Sequence, residues 1–311
     1  MSEARARRLA QLRLHRPESI HEAARRRRRR PRVGASGMVV IIAADHPARG
    51  ALRVGADPTA MADRGELVDR VLVALGRPGV DGLLATADLV EDLLALGVVE
   101  GLPVLDDKLV IGSMNRGGLA GTVFELDDRF TAYTAAGIER FGLDGGKMLL
   151  RIDPEDPATA ATLEACGRAV TDLAERHLIA MVEVFMAHRV GTRVRNDLSP
   201  DAVMRSMAVA SGLGTTSAYT WLKVPVVEEM ARVMRASMLP AVILGGEVPG
   251  DPGAALARWG EALHLPNVCG AVMGRSLLYP ADGDVAGAVD QVVERIRAVT
   301  AGAPSWSGAR S

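Results

Sequence analysis

The octapeptide LIAMVEVF, residues 178–185, is apolar at every position except Glu183. A strand on the surface of a sheet alternates apolar and polar residues, whereas this segment is apolar at successive positions. Such a short, continuously apolar segment is typical of a strand covered on both faces, as in a parallel sheet surrounded by helices. The octapeptide therefore predicts a fully buried parallel strand.

Seven further segments of this kind occur along the chain, and longer segments with helical character separate them. Eight strand–helix units predict one (β/α)8 TIM barrel, an α/β fold, over residues 37–311. An open doubly wound sheet is disfavoured, because the first strand is not followed by the GxGxxG turn of a dinucleotide site. The other strands are predicted at MVVIIAADH (38–46), GVDGLLAT (79–86), LPVLDDKLVI (102–111), GGKMLLRID (145–153), YTWLKVP (219–225), PAVILGG (240–246) and VCGAVMGR (268–275). Helices are predicted at 58–75, 87–97, 157–177, 199–211, 226–237, 252–264 and 282–300.

Composition excludes several other classes of protein. Hydrophobic residues make up 48% of the 311 residues but aromatic residues only 3%, so the core must be aliphatic. The net charge of −1 argues against a general nucleic-acid-binding surface. Cys166 and Cys269 lack a CxxC spacing and are expected to be buried free thiols. No apolar segment approaches the roughly 18 residues of a membrane span, so a cytoplasmic protein without membrane contact is expected.

Residues 1–36 form an arginine-rich N-terminal extension, for which one helix is predicted from Glu3 to about Arg29. The six consecutive arginines Arg25–Arg30 allow two interpretations. They could bind nucleic acid or another polyanion, or they could belong to a solvated helical extension that packs on a neighbouring subunit of a homo-oligomer. The absence of aromatic residues that could stack on bases favours the second interpretation.

Lysine is rare in this chain, and its positions are informative. Lys108, Lys147 and Lys223 are the only lysines, and all other basic residues are arginine. Each lysine lies in a predicted strand or beside one. A guanidinium does not lose its proton in a protein, whereas a buried amine can, so a retained lysine indicates chemistry that needs a neutral amine.

Lys223 is the best candidate for a nucleophile that forms a Schiff base with a carbonyl group, because it follows an apolar segment at the end of a strand. Lys147, two strands earlier, could be the second cation that lowers its pKa. Alternatively, each of these lysines is a buried ion-pair partner of Glu183 or Asp45. Those two carboxylates lie in apolar segments and could orient Lys223 or transfer protons. Glu183 could also serve only to neutralise Lys147.

Glycine-rich segments after the last two predicted strands favour a phosphate site. Such loops let backbone N–H groups approach an anion, a following helix presents its N-terminus, and barrels often bind phosphate there. His46 is the one histidine placed at the predicted mouth, whereas His177, His188 and His264 lack metal-ligand spacing, so neither a metal nor another cofactor is predicted. The candidate substrate- or phosphate-binding residues are His46, Lys108, Arg151, Gly245, Gly246, Gly274 and Arg275.

Five motifs, in this order, resemble those of class I (Schiff-base) aldolases of the DeoC/LacD type, namely the tagatose-bisphosphate and archaeal-type fructose-bisphosphate aldolases. The motifs are AADHP (43–47), GLDGGKMLLRIDPED (142–156), VEVF (182–185), WLKVP (221–225) and GRSLL (274–278). The resemblance spans residues 38–298. It implies that Lys223 forms the Schiff base, that Lys147 and Glu183 assist it, that Asp45 takes part in proton transfer, and that Gly245, Gly246, Gly274 and Arg275 hold phosphate.

The chain departs from this family at several positions. Gly145 and Gly146 replace an Ala-Val pair, and Arg151 replaces an aromatic residue. The segment DDKLVIGSMNRGGLAG (106–121) has no clear counterpart and could supply a lid or select a substrate head group. The overall pattern is also similar to barrel proteins of actinobacterial inositol-catabolism clusters, which implies a phosphorylated deoxy-keto-sugar acid as one possible substrate.

The predicted function is therefore retro-aldol cleavage of a phosphorylated ketose or keto-sugar acid through a Schiff base on Lys223. An isomerase or epimerase on a phosphate-binding barrel would share the glycine loops but would not need this nucleophile. A non-catalytic, arginine-tailed binding protein is a third interpretation, in which residues 1–36 would matter and Lys223 would not.

Overall fold

A computed structural model describes residues 1–34, 36–191, 193–245 and 252–300 of the chain. Eight parallel strands form a closed barrel in the order β4-β3-β2-β1-β9-β8-β7-β5, which pairing between β4 and β5 completes. The predicted (β/α)8 TIM barrel is thereby confirmed. The strands are β1 (Val39–Ala43), β2 (Gly82–Ala85), β3 (Leu109–Ser113), β4 (Gly145–Ile152), β5 (Ile179–Val190), β6 (Arg193–Asp197), β7 (Thr220–Pro225), β8 (Ala241–Leu244) and β9 (Val268–Met273).

Helices connect the strands around the outside of the barrel, and local capping determines where several begin. Asp63 accepts a hydrogen bond from the Glu66 backbone N–H at 2.8 Å, so α3 begins after Asp63 rather than at residue 58. Ser199 caps α7, whose first residue is proline. The helices are α1 (Glu3–His15), α2 (Glu18–Arg26), α3 (Arg64–Leu75), α4 (Ala87–Glu100), α5 (Ala135–Arg140), α6 (Ala158–Ala174), α7 (Pro200–Ser211), α8 (Met230–Val233), α9 (Pro252–Leu263), α10 (Arg275–Leu278) and α11 (Val285–Thr300).

The core is aliphatic, as the composition predicts. Its larger part lies between the barrel and the helices, and a smaller cluster that includes Ile41, Ile111 and Met181 fills the barrel interior. Glycine at positions 145 and 146 has a packing reason. A Cβ on Gly145 would lie 2.5 Å from the carbonyl oxygen of Ile179, and one on Gly146 would collide with the Met114 sulfur. Within the described residues, no helix combines the length and apolarity needed to cross a membrane.

The N-terminal segment differs from its prediction in two respects. The single predicted helix is instead two, α1 and α2, which are separated at Arg16 and Pro17 because proline lacks the N–H that would continue the first helix. Both helices pack against α4 of the same chain through buried Leu9, Leu12 and Ile20. The segment is therefore not a solvated extension. Its division from the barrel at residue 36 stays a prediction.

Four arginines of the Arg25–Arg30 run pair with carboxylates of their own barrel. Arg27 and Arg29 contact Asp144 at 2.8 and 3.0 Å, Arg30 pairs with Asp81, and Arg28 pairs with Asp107. Asp81 and Asp144 immediately precede β2 and β4, so the contacts lie at the amino ends of the strands. The arginine run thus covers the end of the barrel opposite the predicted catalytic mouth.

Two strands differ from their predicted bounds. The third strand begins at Leu109 rather than 102, because residues 104–107 form a turn in which Asp107 has a positive φ of 55°. The fifth strand continues beyond the predicted end and pairs antiparallel with β6, which the prediction omits. This hairpin projects past the carboxyl end of the barrel.

Candidate active site

A cavity of about 700 Å³ opens at the carboxyl ends of the strands. It is the face on which TIM barrels carry their active sites. Gly246 lies outside the described residues. Nine of the predicted site residues line the cavity: Asp45, His46, Lys147, Arg151, Glu183, Lys223, Gly245, Gly274 and Arg275.

Lys223 and Glu183 are cross-strand partners in the ladder between β7 and β5. Aligned residues on adjacent parallel strands direct their side chains to the same face, which here is the barrel interior. The Lys223 Nζ lies 2.9 Å from Oε1 of Glu183, and the lysine is 3% exposed. The amine is therefore paired with a carboxylate and also borders the cavity.

Glu183 bridges the two interior lysines. Its second oxygen, Oε2, pairs with the Nζ of Lys147, which projects from β4. Burial alone would raise the pKa of the Glu183 carboxyl, but the positive charges of Lys147 and Lys223 outweigh that effect and hold the pKa well below its usual range. Glu183 is consequently an ionised carboxylate with one oxygen on each amine.

Asp45 follows β1 and is buried among polar groups that the local sequence does not supply. Its Oδ2 accepts a hydrogen bond from the Ser113 hydroxyl at 3.0 Å and contacts the Lys147 Nζ at 3.3 Å. Arg116 forms an ion pair with the same oxygen. The partners of this one carboxylate thus come from β4 and from β3 with its following loop, which carries Arg116.

Charge balance within this buried cluster favours one uncharged amine. With all groups ionised, Arg116, Lys147 and Lys223 carry three positive charges, and Asp45 and Glu183 carry two negative charges. A net charge is costly to bury, and release of one proton leaves the cluster neutral. Burial lowers the pKa of Lys147 well below its ordinary value, and the charges of Arg116 and Lys223 lower it further, against the opposing effect of Glu183.

His46 contributes a neutral imidazole to the cavity wall. Burial, reinforced by the charges of Arg275 and Lys223, lowers the pKa of His46 to about 3. Its Nδ1 lies 3.9 Å from Oδ1 of Asp45 and has no hydrogen-bond partner within the described part of the chain. Gly274 is required beside it, because a Cβ there would lie 2.6 Å from the Ala43 carbonyl oxygen and 2.9 Å from Cε1 of the ring.

Of the residues predicted to hold phosphate, the cavity wall includes Gly245, Gly274 and Arg275. Nη1 of Arg275 donates a hydrogen bond to the backbone carbonyl oxygen of Arg53 at 3.2 Å. The helix expected to present its N-terminus after the last strand, α10, has only four residues. One turn aligns few peptide dipoles, so Arg275 and the backbone, rather than a helix dipole, must supply positive potential there.

The assignment of Lys108 to substrate binding is wrong. Lys108 immediately precedes β3 and therefore lies at the amino end of the barrel. Its Nζ donates to the backbone carbonyl oxygen of Val80 at 2.6 Å. A side chain at this end cannot reach the cavity at the opposite end of the strands.

Sequence reasoning missed a group of charged residues around the loop that follows β3. Glu125 was not predicted, and it pairs with Arg151, a predicted binding residue near the end of β4. Arg49 contacts Asp128 at 2.9 Å and donates to the carbonyl of Gly118 at 2.6 Å. These contacts fasten the loop over the mouth. The only sequence signal was that segment 106–121 had no counterpart in the resemblance.

Positive charge dominates the cavity although the whole chain carries a net charge of −1. An excess of cations in a concave site attracts anionic ligands. Three carboxylates, Asp45, Glu125 and Glu183, share the wall with eight basic residues. The basic residues are Arg49, Arg116, Lys147, Arg151, Arg195, Lys223, Arg258 and Arg275.

Both cysteines lie away from the lining of the cavity. Burial raises the pKa of Cys166 and of Cys269 to about 12, so both are poor nucleophiles. The described ranges contain no group of three or more His, Cys, Asp or Glu side chains placed to hold a metal ion.

Comparisons with known proteins agree with this architecture. A family model described as Cgl0159-like matches residues 37–293. The crystal structure of Cgl0159 from Corynebacterium glutamicum is 50% identical, with a TM-score of 0.91 over 96% of this chain and 98% of that chain. No curated protein matches the chain.

Aldolases are among the structures with a more distant similarity. An archaeal fructose 1,6-bisphosphate aldolase is 18% identical, with a TM-score of 0.61 over 90% of this chain and 99% of that one. A second archaeal aldolase structure, in which the catalytic lysine is covalently bound to a carbinolamine intermediate, is 16% identical, with a TM-score of 0.58 over 89% and 99%. At these identities the similarity establishes an aldolase-like TIM-barrel fold.

Proposed function

The chain belongs to the Cgl0159-like family, and on that premise we propose that it is a class I aldolase. Lys223 forms a Schiff base with the ketone of a phosphorylated ketose or deoxy-keto-sugar acid and catalyses its retro-aldol cleavage. The observation that carries this proposal is the contact between the Lys223 amine, the Glu183 carboxylate and the Lys147 amine beside a cationic cavity.

The first chemical step requires an unprotonated Lys223. Glu183 is in hydrogen-bond contact with both amines, so a proton can pass from Lys223 to Glu183 and on to Lys147. The neutral Lys223 nitrogen then attacks the substrate carbonyl carbon, the nitrogen loses one proton and the former carbonyl oxygen gains one, which gives a neutral carbinolamine. Loss of that hydroxyl as water, with a proton supplied through Glu183, leaves the iminium.

The iminium is the electron sink for carbon–carbon cleavage. A base removes the proton of the substrate hydroxyl at the carbon beyond the bond that breaks, and that carbon departs as an aldehyde. The bonding electrons move into an enamine on Lys223. Protonation of the enamine carbon regenerates an iminium, and water hydrolyses it to release the second product and the free amine. Asp45 lies next to Lys147 and is suited to these proton transfers.

Substrate charge is matched by the wall of the cavity. Gly245, Gly274 and Arg275 can hold a phosphate at the β8 and β9 side. The remaining basic side chains also favour an anionic ligand, which is consistent with either a sugar phosphate or a phosphorylated sugar acid. An archaeal aldolase with this fold forms its carbinolamine on a lysine, which supports the same chemistry here.

Product analysis across a panel of phosphorylated ketoses and keto-sugar acids tests the proposal. An aldolase splits the substrate into an aldehyde and a shorter phosphorylated or acidic fragment. An isomerase or epimerase gives a product of unchanged mass. Lys223→Met should abolish cleavage, whereas Lys108→Arg, at the other end of the barrel, should retain it. Mass-conserving conversion that survives Lys223→Met would contradict the proposal.

A further inference from the structure

We propose that Arg116 is a positioning residue of this site. By occupying Asp45 as an ion-pair partner beside Lys147, it keeps Lys147 available as the proton acceptor for Lys223. No sequence motif identified this residue, and it belongs to the loop after β3 that lacks a counterpart in the aldolase resemblance. The inference deepens the proposed function and rests on it for its catalytic meaning.

Contacts of the neighbouring residues hold the Arg116 backbone in place. The preceding residue, Asn115, donates to the carbonyl of Leu149 at 2.6 Å and accepts from the Leu149 N–H at 2.8 Å, which ties the loop to β4. Arg116 itself donates its N–H to the carbonyl of Arg129 at 3.2 Å. A Cβ on Gly117 would lie 2.7 Å from the Arg129 Cβ, so the close approach of these two chain segments requires glycine.

The Arg116 side chain is 5% exposed and borders the cavity. Burial lowers the pKa of Arg116 to about 10, which still leaves the guanidinium charged at neutral pH. A permanent positive charge next to Asp45 weakens the electrostatic attraction between Asp45 and the Lys147 ammonium. The Asp45 oxygen 3.3 Å from Lys147 is the same oxygen that pairs with Arg116, so its negative charge is already balanced.

The charged and titratable groups that face Lys147 come from four strands and their following loops. Glu183 from β5 and Asp45 after β1 favour the ammonium form, whereas Arg116 after β3 and Lys223 from β7 oppose it. His46, also after β1, is neutral. Arg116 is the only cation in this set that carries no role in the chemical steps. Its removal would leave two carboxylates facing two amines, and both amines could then be charged without net charge.

A protonated Lys147 would block the proton path from Lys223. Glu183 can remove a proton from Lys223 only if it can pass that proton on, and an ammonium at Lys147 cannot accept it. Loss of Arg116 should therefore leave Lys147 unable to accept the proton of Lys223 until a higher pH, without removing any group that touches the substrate carbonyl. The expected signature is a shift of the pH profile rather than a uniform loss of activity.

The scarcity of lysine makes a direct test possible. Selective ¹³C labelling of lysine side chains at Cε gives three NMR signals, and Lys108→Arg and Lys223→Met assign them. In Arg116→Gln, we expect the midpoint of the Lys147 titration to move up by at least about one pH unit. At a pH below that midpoint, the fraction of neutral Lys147 then falls about tenfold. In Arg116→Lys, which retains a cation and adds one assignable signal, the titration should stay near that of the wild type.

Kinetics provide the second readout. The acid limb of kcat/KM against pH should move up in Arg116→Gln by the same interval and return toward the wild-type position in Arg116→Lys. A purely structural role would lower the thermal stability of both variants and leave the Lys147 titration in place. That outcome overturns the inference. If Arg116→Gln does not fold, Arg116→Met, which retains the side-chain length, replaces it.

The test separates the inference from the proposed function. A Lys147 titration that rises in the charge-removing variant supports the electrostatic role of Arg116 even if wild-type protein cleaves no substrate. Cleavage through Lys223 with an unchanged Lys147 titration overturns the role of Arg116 and leaves the proposed function intact.

Discussion

Glu183 holds Lys223 and Lys147 on opposite oxygens of one carboxylate, with Lys223 at 2.9 Å. The three side chains project from β4, β5 and β7, which are consecutive in the barrel. Two amines that share one carboxylate can exchange a proton through it while the total charge of the group stays constant. This arrangement explains why the chain retains lysine at two interior positions although it uses arginine almost everywhere else.

Substitution of Lys223 should remove catalysis without unfolding the protein. Lys223→Met deletes the nucleophile, and we expect a fall in kcat of at least about a thousandfold, since the covalent route is lost. Steady-state measurement of product formation checks this, with circular dichroism to confirm folding. Lys108→Arg is the matched control and should stay within about threefold of the wild type.

Removal of the shared carboxylate should affect both activity and stability. Glu183→Gln leaves two amines without their common partner, and loss of a proton-transfer group costs about 10²–10⁴ in rate. Breaking a buried ion pair from one side lowers the free energy of unfolding by about 3–5 kcal/mol, and loss of protons from the amines would offset part of that loss. Rate assays and urea unfolding of the same preparation measure the two effects. Wild-type activity with lowered stability would restrict Glu183 to a structural role.

The lowered pKa of Lys147 predicts how stability depends on pH. The unfolded chain holds a proton on Lys147 up to about 10.5, whereas the folded protein releases it at lower pH. Because the unfolded state binds more protons within that window, the free energy of unfolding should rise with pH, by up to about 1.4 kcal/mol per pH unit. Lys147→Met should lack this slope. Denaturant unfolding at several pH values from about 7 to 10 compares the wild type with Lys147→Met. Equal slopes of the free energy of unfolding against pH would contradict the prediction.

Arg27 should contribute far more stability than its exposed neighbour Arg28. The Arg27 side chain is 2% exposed and pairs with Asp144, which is 4% exposed. Arg27→Ala leaves that buried carboxylate with only the exposed Arg29 as an ion-pair partner, and it should cost about 3 kcal/mol. Arg28 pairs with Asp107 on the surface, and Arg28→Ala should cost less than about 1 kcal/mol. Urea unfolding of both variants tests this difference. Equal losses would indicate that the arginine run does not fasten the barrel as described.

Arg275 should discriminate substrates by their phosphate group. Arg275→Ala removes a cation from the wall beside Gly245 and Gly274. We expect KM for a phosphorylated ketose to rise by about ten- to a hundredfold, which is the loss of one charge-assisted contact, while KM for the unphosphorylated analogue changes little. Parallel kinetics with the two substrates provide the check. An equal change for both would place the phosphate elsewhere.

Much of the fold was predictable because a fully buried strand appears in the sequence as a short apolar segment. All eight barrel strands are predominantly apolar, with only isolated charged residues, so their existence could be predicted even where their ends were not. The β5–β6 hairpin was missed because Arg189, Val190, Arg193 and Val194 form too short an alternation to distinguish from a loop.

Site residues inside strands were predictable for a similar reason. A charged residue within an apolar segment, such as Glu183 or Lys147, needs a partner, and the barrel supplies one. Lys108 was misplaced because a charge beside a strand can lie at either end. Arg116 could not be found, because its partner Asp45 belongs to a different strand–loop unit and only the folded chain brings them together.

Reductive trapping is the most direct test of the central claim, which is that Lys223 forms the Schiff base. Wild-type protein is mixed with a substrate that it cleaves, treated with borohydride and digested for peptide mass mapping. With only three lysines in the chain, the modified residue can be assigned without ambiguity. The account predicts substrate-dependent mass gain on the peptide that contains Lys223, and none in Lys223→Met. Modification of Lys147 instead, or turnover with no trapped adduct, would contradict it.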